Sequence, residues 1–370
     1  MTTGTSPNRF AQLDTLRALA VCVVMIHHYR DTPFFLSGFG ATLFFVLSGF
    51  FVTKSLIRLK SEIADGKTQT GFALRSFYLH RWLRLWPLYY LVLGLTLIMN
   101  VENARSSFLW NAAFLSNLHV LITGSWSGRF SPLWSLSVLE QFYLIWPTLI
   151  LCCPRRHLLT LVMMTVAIGP FYRFLCFIFD ASPLYWCVAP FASFDQLGCG
   201  ALLALCTKDM VGKAWQARVY WAASRICVPI FALLLIGKIL DFNPPGSSIY
   251  ISTIASFAFI QLIHRTMQGY SGWLKIIFEN RFLSHIGTMS YSIFLLHNFT
   301  ELLVPKTAIF RAVLASDYKA MLLIPVTVLL AQIAWRIIEK PVLTFRRKYT
   351  APALAYAHPS DMQRISPVTG

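Results

Sequence analysis

"LDTLRALAVCVVMIHH", Leu13–His28, sets an aspartate, an arginine and two histidines at either end of an apolar run. A bilayer core about 30 Å thick needs about 20 mostly apolar residues to cross it, which this run and its flanks supply. A secretory leader would end in a small-residue cleavage site and give way to soluble sequence. Here His27, His28 and Arg30 come directly after, and many more apolar runs come later, so the segment reads as a retained span.

The rest of the chain fits that reading. Of 370 residues 56% are hydrophobic, 15% aromatic and 13% charged, far from the balance of a soluble domain. Apolar runs near 11–29, 38–57, 86–101, 133–153, 157–179, 187–206, 226–241, 248–264, 282–304 and 318–338 predict about ten transmembrane helices. The formal charge of +17 is concentrated in alternate gaps. Lys54, Arg58, Lys60, Lys67, Arg75, Arg81 and Arg84 come after the second run. Arg155 and Arg156, then Lys208, Lys213, Arg218 and Arg225, then Arg265, Lys275 and Arg281 fill later gaps. The positive-inside rule therefore predicts both termini in the cytoplasm. The expected fold is an all-α polytopic helix bundle, with residues 1–349 as one membrane domain and 350–370 as a short, disordered cytoplasmic tail. Basic residues spread over short juxtamembrane loops form no continuous patch, so nucleic acid is not an expected partner; the lipid bilayer is. Eight cysteines lie in or at the ends of apolar runs without zinc-site or disulfide spacing, and read as packing residues with no metal implied.

Ionisable groups inside spans are costly and point to function. Helical positions eleven apart differ by about 20°, so Arg17 and His28 share a face, about 16 Å apart along the axis. Asp14 joins that stripe, whereas His27 points about 80° away, which favours His28. The bland alternative is an interfacial anchor with a hydrogen-bonded histidine. Further on, Arg81 and Arg84 lie three apart in "LHRWLRLWPLYY", a fork suited to phosphates or a plain membrane anchor. Ser137, Glu140 and Gln141 fall on neighbouring faces in "SPLWSLSVLEQFYLIWP". Ser290, His297 and Glu301 form another expected stripe. Asp195 lies inside a span beside glycines that permit close helix packing. Ser48 in "LSGFF" has no base placed near it by helical spacing and reads as a packing serine.

Together these motifs resemble the acyltransferase family 3 membrane proteins, over about residues 11–345 and in the family's order: "LDTLRALAVCVVMIHH", "FFVLSGFFVT", "HRWLRLWPLYY", "WSLSVLEQFYLIWP", "GTMSYSIFLLH" and "IIEKPV". The resemblance implies transfer of an acyl group, commonly acetyl from acetyl-CoA, to a hydroxyl of a carbohydrate or glycosylated acceptor. It matches Arg17 and His28 to the family's first-span pair, and Arg81 and Arg84 to its cytoplasmic arginines. Two positions depart from it. Leu139 stands where a glutamate is expected, so either Glu140 suffices or the step is weakened. Ser193 stands where an arginine is expected two before Asp195.

A hydroxyl acceptor needs a base, and neutral imidazole suits that work near pH 7, which assigns the task to His28. Arg81 and Arg84 would hold the phosphates of acyl-CoA, while Arg17 either helps hold the donor or orients the stripe through Asp14. Two other readings are a glycan or solute transporter, which predicts broken helices and repeat symmetry that the sequence does not display, and a catalytically weakened family member.

Overall fold

A computed structural model describes residues 9–30, 34–242, 244, 246–305, 307, 310, 313–316 and 318–349. The expected 350–370 tail lies outside them. No strand occurs among the described residues. Six helical stretches there are long and apolar enough to cross a bilayer: Ser37–Ala64, Gly128–Cys152, Arg155–Ile178, Lys213–Ile239, Ser247–Gln268 and Lys319–Thr344. The chain is an all-α polytopic membrane protein. Its outward-facing side chains fit a lipid solvent, since Leu233, Ile236 and Ile239 on one such helix are 68%, 53% and 64% exposed.

The four remaining expected spans take other forms. α1 (Arg9–Arg30) is continuous but polar at both ends. α2 runs Phe34–Ala64. The run 86–101 is the apolar half of α3 (Thr70–Ile98), whose first half carries Arg75, Arg81 and Arg84. Residues 187–206 are not one helix. α4 (Ala104–Ala112), α5 (Ser116–Thr123), α6 (Leu133–Cys152) and α7 (Leu158–Ile178) lead to a short α8 (Pro183–Val188), and a 3-10 turn at Pro190–Ser193 precedes α9 (Phe194–Thr207). Pro190 cannot donate a helical hydrogen bond, and the 14 residues of α9 span only about 21 Å.

The chain continues through α10 (Lys213–Ala222), α11 (Val228–Ile239), α12 (Ser247–Gln268) and α13 (Gly272–Phe278). The last departure is 282–304, which divides into α14 (Arg281–Thr288), α15 (Ser290–Leu296) and a 3-10 segment, His297–Leu303. At the first break the Thr288 hydroxyl donates to the His285 carbonyl at 2.7 Å, competing with the backbone ladder. The sequence displays no sign of broken helices, and this region corrects that expectation. α16 (Lys319–Ala334) passes through a π-helical turn, Trp335–Glu339, into α17 (Lys340–Tyr349).

The chain divides into two compact units. Unit 1 comprises residues 1–40, 75–88 and 263–370. There α1 is sheathed nearly all round: Leu13, Leu16, Ala18, Ala20, Val21, Val24 and Met25 are buried. Gly287 lets α14 close on α1, because a Cβ there would collide with the backbone of Asp14. Thr15 Oγ1 donates to the Phe278 carbonyl at 3.0 Å, and Gln12 Nε2 to Glu279 Oε1 at 2.9 Å. The Tyr291 hydroxyl donates to the Leu85 carbonyl at 2.6 Å, pinning α15 to α3.

Unit 2 comprises residues 41–74 and 89–262. Its glycines do what their spacing predicts. A Cβ at Gly49 would strike the Leu197 backbone, and one at Gly200 the Val46 carbonyl, so α2 and α9 meet backbone to backbone. Lys60 Nζ donates to the carbonyls of Ile150 and Leu151 at 3.1 and 2.7 Å, capping the end of α6.

Candidate active site

Unit 1 gathers most of the polar residues singled out in the sequence. Along α1, Arg17 Nη1 donates to Asp14 Oδ1 at 2.7 Å, with both side chains 10% exposed or less. The i, i+3 spacing makes this pair, and the approach of Gly287 buries it. Arg84, on α3, lies within electrostatic reach of Asp14 and also of Glu339. Glu339 ends the π-helical turn, is buried, and accepts a hydrogen bond from Ser292. The inserted residue of a π turn rotates the downstream part of the helix, which is how a glutamate between exposed Ile337 and Lys340 turns inward. The cluster thus holds Arg17, Arg84 and two carboxylates, with half-buried Arg81 one turn before Arg84 on α3. Tyr78, Trp82 and Trp86 stack along the same helix at ring separations of 5.7 and 4.7 Å.

The other end of α1 carries the histidines. The rings of His28 and His297 lie 4.9 Å apart, and those of His27 and His28 5.1 Å apart. The Tyr29 hydroxyl donates to the His297 carbonyl at 2.6 Å and bonds Thr327 Oγ1 at 2.7 Å, while Thr327 and Thr300 bond at 2.9 Å. These contacts tie α1 to the 3-10 segment and α16. Ser290 is buried in α15, which leads into the His297 segment. Glu301 does not continue that stripe, because a 3-10 segment turns about 120° per residue. It is half-buried instead, 3.5 Å from Lys319 Nζ.

Glu140 and Asp195 belong to unit 2 and enter separate networks there. Glu140 is within electrostatic reach of Tyr89 and Tyr90. Beside it, Ser137 Oγ and Ser116 Oγ bond at 2.7 Å, and Gln141 Nε2 donates to Asn117 Oδ1 at 2.9 Å and to the Phe114 carbonyl at 3.0 Å. Asp195 pairs with Arg173: Arg173 Nη2 donates to Asp195 Oδ2 at 2.7 Å, and Thr253 Oγ1 donates to the same oxygen at 2.6 Å. The remaining guanidinium donors reach the carbonyls of Ile249 and Ala192. An arginine from α7 thus meets Asp195, while Ser193, where the resemblance leads one to expect an arginine, is buried two residues before it.

Sequence reasoning passed over Arg173, Ser292, Tyr29 and Glu339. Arg173 in "GPFYRFLCF" carried a readable signal, being an arginine inside an apolar run. Glu339 lay in the quoted "IIEKPV", but nothing local tells that a π turn buries it. Among the described residues, no group of three or more His, Cys, Asp or Glu side chains is placed to hold a metal ion.

The fold and this polar interior define a multi-pass membrane protein with ionisable groups threaded through its helices. Residues 10–336 match the family model described as the acyltransferase domain, type 3, and the chain belongs to that family. It is similar to the peptidoglycan O-acetyltransferase OatA of Listeria monocytogenes, 26% identical over 370 residues, covering 92% of this chain and 57% of that protein. It is also similar to YrhL of Bacillus subtilis, provisionally named for the same activity, 26% identical over 359 residues and covering 90% of this chain and 54% of that one. The chain thus spans a little over half the length of these relatives. No solved structure matches it.

Proposed function

We propose that this protein is an inner-membrane O-acyltransferase that moves an acyl group, acetyl in the simplest case, from acyl-CoA to a hydroxyl of a glycan. The names of its relatives favour peptidoglycan as the acceptor. The observation that carries the reading is the layout of α1 in unit 1. A cationic cluster lies at one end and a histidine pair at the other, about 16 Å apart along one unbroken helix.

Arg81 and Arg84 hold phosphates of the donor. Asp14 and Glu339 offset part of the positive charge and keep Arg84 oriented when no anion is bound. With Arg17 and Arg81 the cluster retains a net positive charge, as a phosphate site requires. The thioester arm extends along α1 toward His28. There His28 takes the acceptor hydroxyl proton as that oxygen attacks the thioester carbonyl. The carbon–sulfur bond then breaks, and the thiolate recovers the proton. Arg17, paired to Asp14, positions the donor. This step uses unit 1 residues alone; Glu140 would act through its own network in unit 2.

A transporter remains the second reading because the 281–303 region is broken, as transporter helices are. One experiment separates them. A deletion strain is complemented with wild type or His28→Ala at matched expression, and its surface glycans and lipids are compared by NMR and mass spectrometry. An O-acyl signal restored by wild type and absent with His28→Ala is the expected result. Equal restoration by both removes His28 as the base. No acyl difference, with purified protein that consumes no acetyl-CoA, favours transport.

A further inference from the structure

The proposed base has a neighbour whose chemistry is incomplete. His297 is 1% exposed, and its Nδ1 lies 2.6 Å from the Phe294 carbonyl. A carbonyl only accepts, so Nδ1 carries the hydrogen and Nε2 presents a lone pair. That Nε2 is buried with no hydrogen-bond partner among the described residues. Most buried polar side-chain atoms have a partner, because one left unpaired is costly, so an unpaired Nε2 here calls for an explanation. The lone pair is therefore held ready for a donor that arrives.

The His28 ring is centred 4.9 Å from that of His297 and tilted by 53°. Tyr29, next to His28, bonds the His297 carbonyl, so the backbone segments that carry the two rings are tied together. No hydrogen bond joins the two rings at rest, since His297 Nε2 has no partner among the described residues. With centroids this close, a turn of the His28 ring would bring one of its nitrogens toward Nε2, whereas two imidazolium ions would repel. Among the described residues, the ionisable groups near the pair include His27 and Tyr29 on α1 and Glu301 in the same 3-10 segment. Glu301 is paired to Lys319 at the start of α16, which otherwise presents the uncharged Thr327.

We propose that His297 is a second proton-holding group of the site. The proton that His28 takes from the acceptor hydroxyl is shared with His297 Nε2 while the new carbon–oxygen bond forms and the thioester carbon–sulfur bond breaks. It then passes to the departing thiolate, so that alcohol and thioester become ester and thiol with no net proton change. This rests on the acyl-transfer reading for its chemistry, though the histidine pair itself is independent of it.

The test uses the full chain in lipid nanodiscs. Solid-state NMR of protein labelled with 15N-histidine reads the tautomer and titration of each ring. The expected result is a neutral Nδ1–H tautomer at His297, with the His28 and His297 signals changing together as one proton is taken up. An Nε2–H tautomer, or two independent titrations, overturns the proposal without needing any variant. The kinetic arm monitors consumption of acetyl-CoA with soluble peptidoglycan strands for wild type, His28→Gln, His297→Gln and the double variant. His297→Gln is expected to lower kcat at least about tenfold with KM unchanged and to move the acidic limb of the pH profile. The double variant is expected to be no worse than the more impaired single one, since both residues serve one proton. Losses that multiply, or a KM effect alone, reduce His297 to a structural role. Wild type that consumes no acetyl-CoA sinks the acyl-transfer reading, and the NMR arm still decides the pair.

Discussion

At the scale of single residues, two buried contacts separate stability from activity. Arg173 and Asp195 are 2% and 0% exposed at the side chain, and every charged group of the pair is met by a partner. Asp195→Ala leaves a guanidinium uncompensated in a dry interior and is expected to cost about 3–5 kcal/mol, read as a lowered unfolding temperature in detergent. Replacing both partners with Arg173→Met and Asp195→Leu is expected to recover most of that loss, because the pair repays its own desolvation poorly. A double variant as unstable as the single one would show that Thr253 and the carbonyls matter more than the charge. Tyr29→Phe tests the histidine end. It removes one hydroxyl that bonds the His297 carbonyl and Thr327, so about 0.5–1.5 kcal/mol is expected to be lost, with a larger proportional fall in acyl transfer. Unchanged turnover would mean that the two rings hold their register without it. The α1 pairing was legible from spacing alone, since i, i+3 is a helical neighbour. The Arg173–Asp195 pairing was not, because partners 22 residues apart meet only once α7 and α9 are packed.

At the scale of elements, glycines set how near two helices come. Gly287 sits where any Cβ would strike the Asp14 backbone, whereas a Cβ at Gly94 meets nothing within 4 Å. Gly287→Ala is expected to cost about 1–3 kcal/mol through overpacking and to reduce activity, by pushing α14 off the Asp14–Arg17 pair. Gly94→Ala, in the body of α3, is expected to leave both unchanged or to raise stability slightly. Thermal unfolding and acetyl-CoA consumption of the two variants side by side check this; equal behaviour would detach Gly287 from the site. The long helices were readable because length and hydropathy are local properties. The break in 281–303 and the π turn at Trp335–Glu339 were not, since they trade backbone hydrogen bonds for side-chain ones such as Ser292 to Glu339 that form between distant segments. Pro190 is the exception, a break announced by its own residue type.

At the scale of the whole molecule, function depends on which side of the bilayer each polar cluster faces. The proposed acyl-CoA donor would come from the cytoplasm, so the proposed reading requires the Arg81 and Arg84 end to open there, and the charge pattern favours that orientation. The 54–84 gap is rich in Lys and Arg, while 102–132 contains only Arg105 and Arg129, the latter paired to Glu102 at 3.0 Å. Gln69 and Ser125 are exposed in these two gaps and report their sides. In a background with Cys152 and Cys153 changed to serine, Gln69→Cys is expected to resist a membrane-impermeant maleimide in intact spheroplasts and to react after lysis. Ser125→Cys is expected to react before lysis. The reverse pattern would turn the arginine cluster away from the donor and remove the phosphate-binding role, while leaving the histidine pair to be explained by another chemistry. Labelling of both from outside would mean that the 70–98 helix does not cross the membrane. The path from cationic cluster to imidazole along α1 would then not be a path across the bilayer.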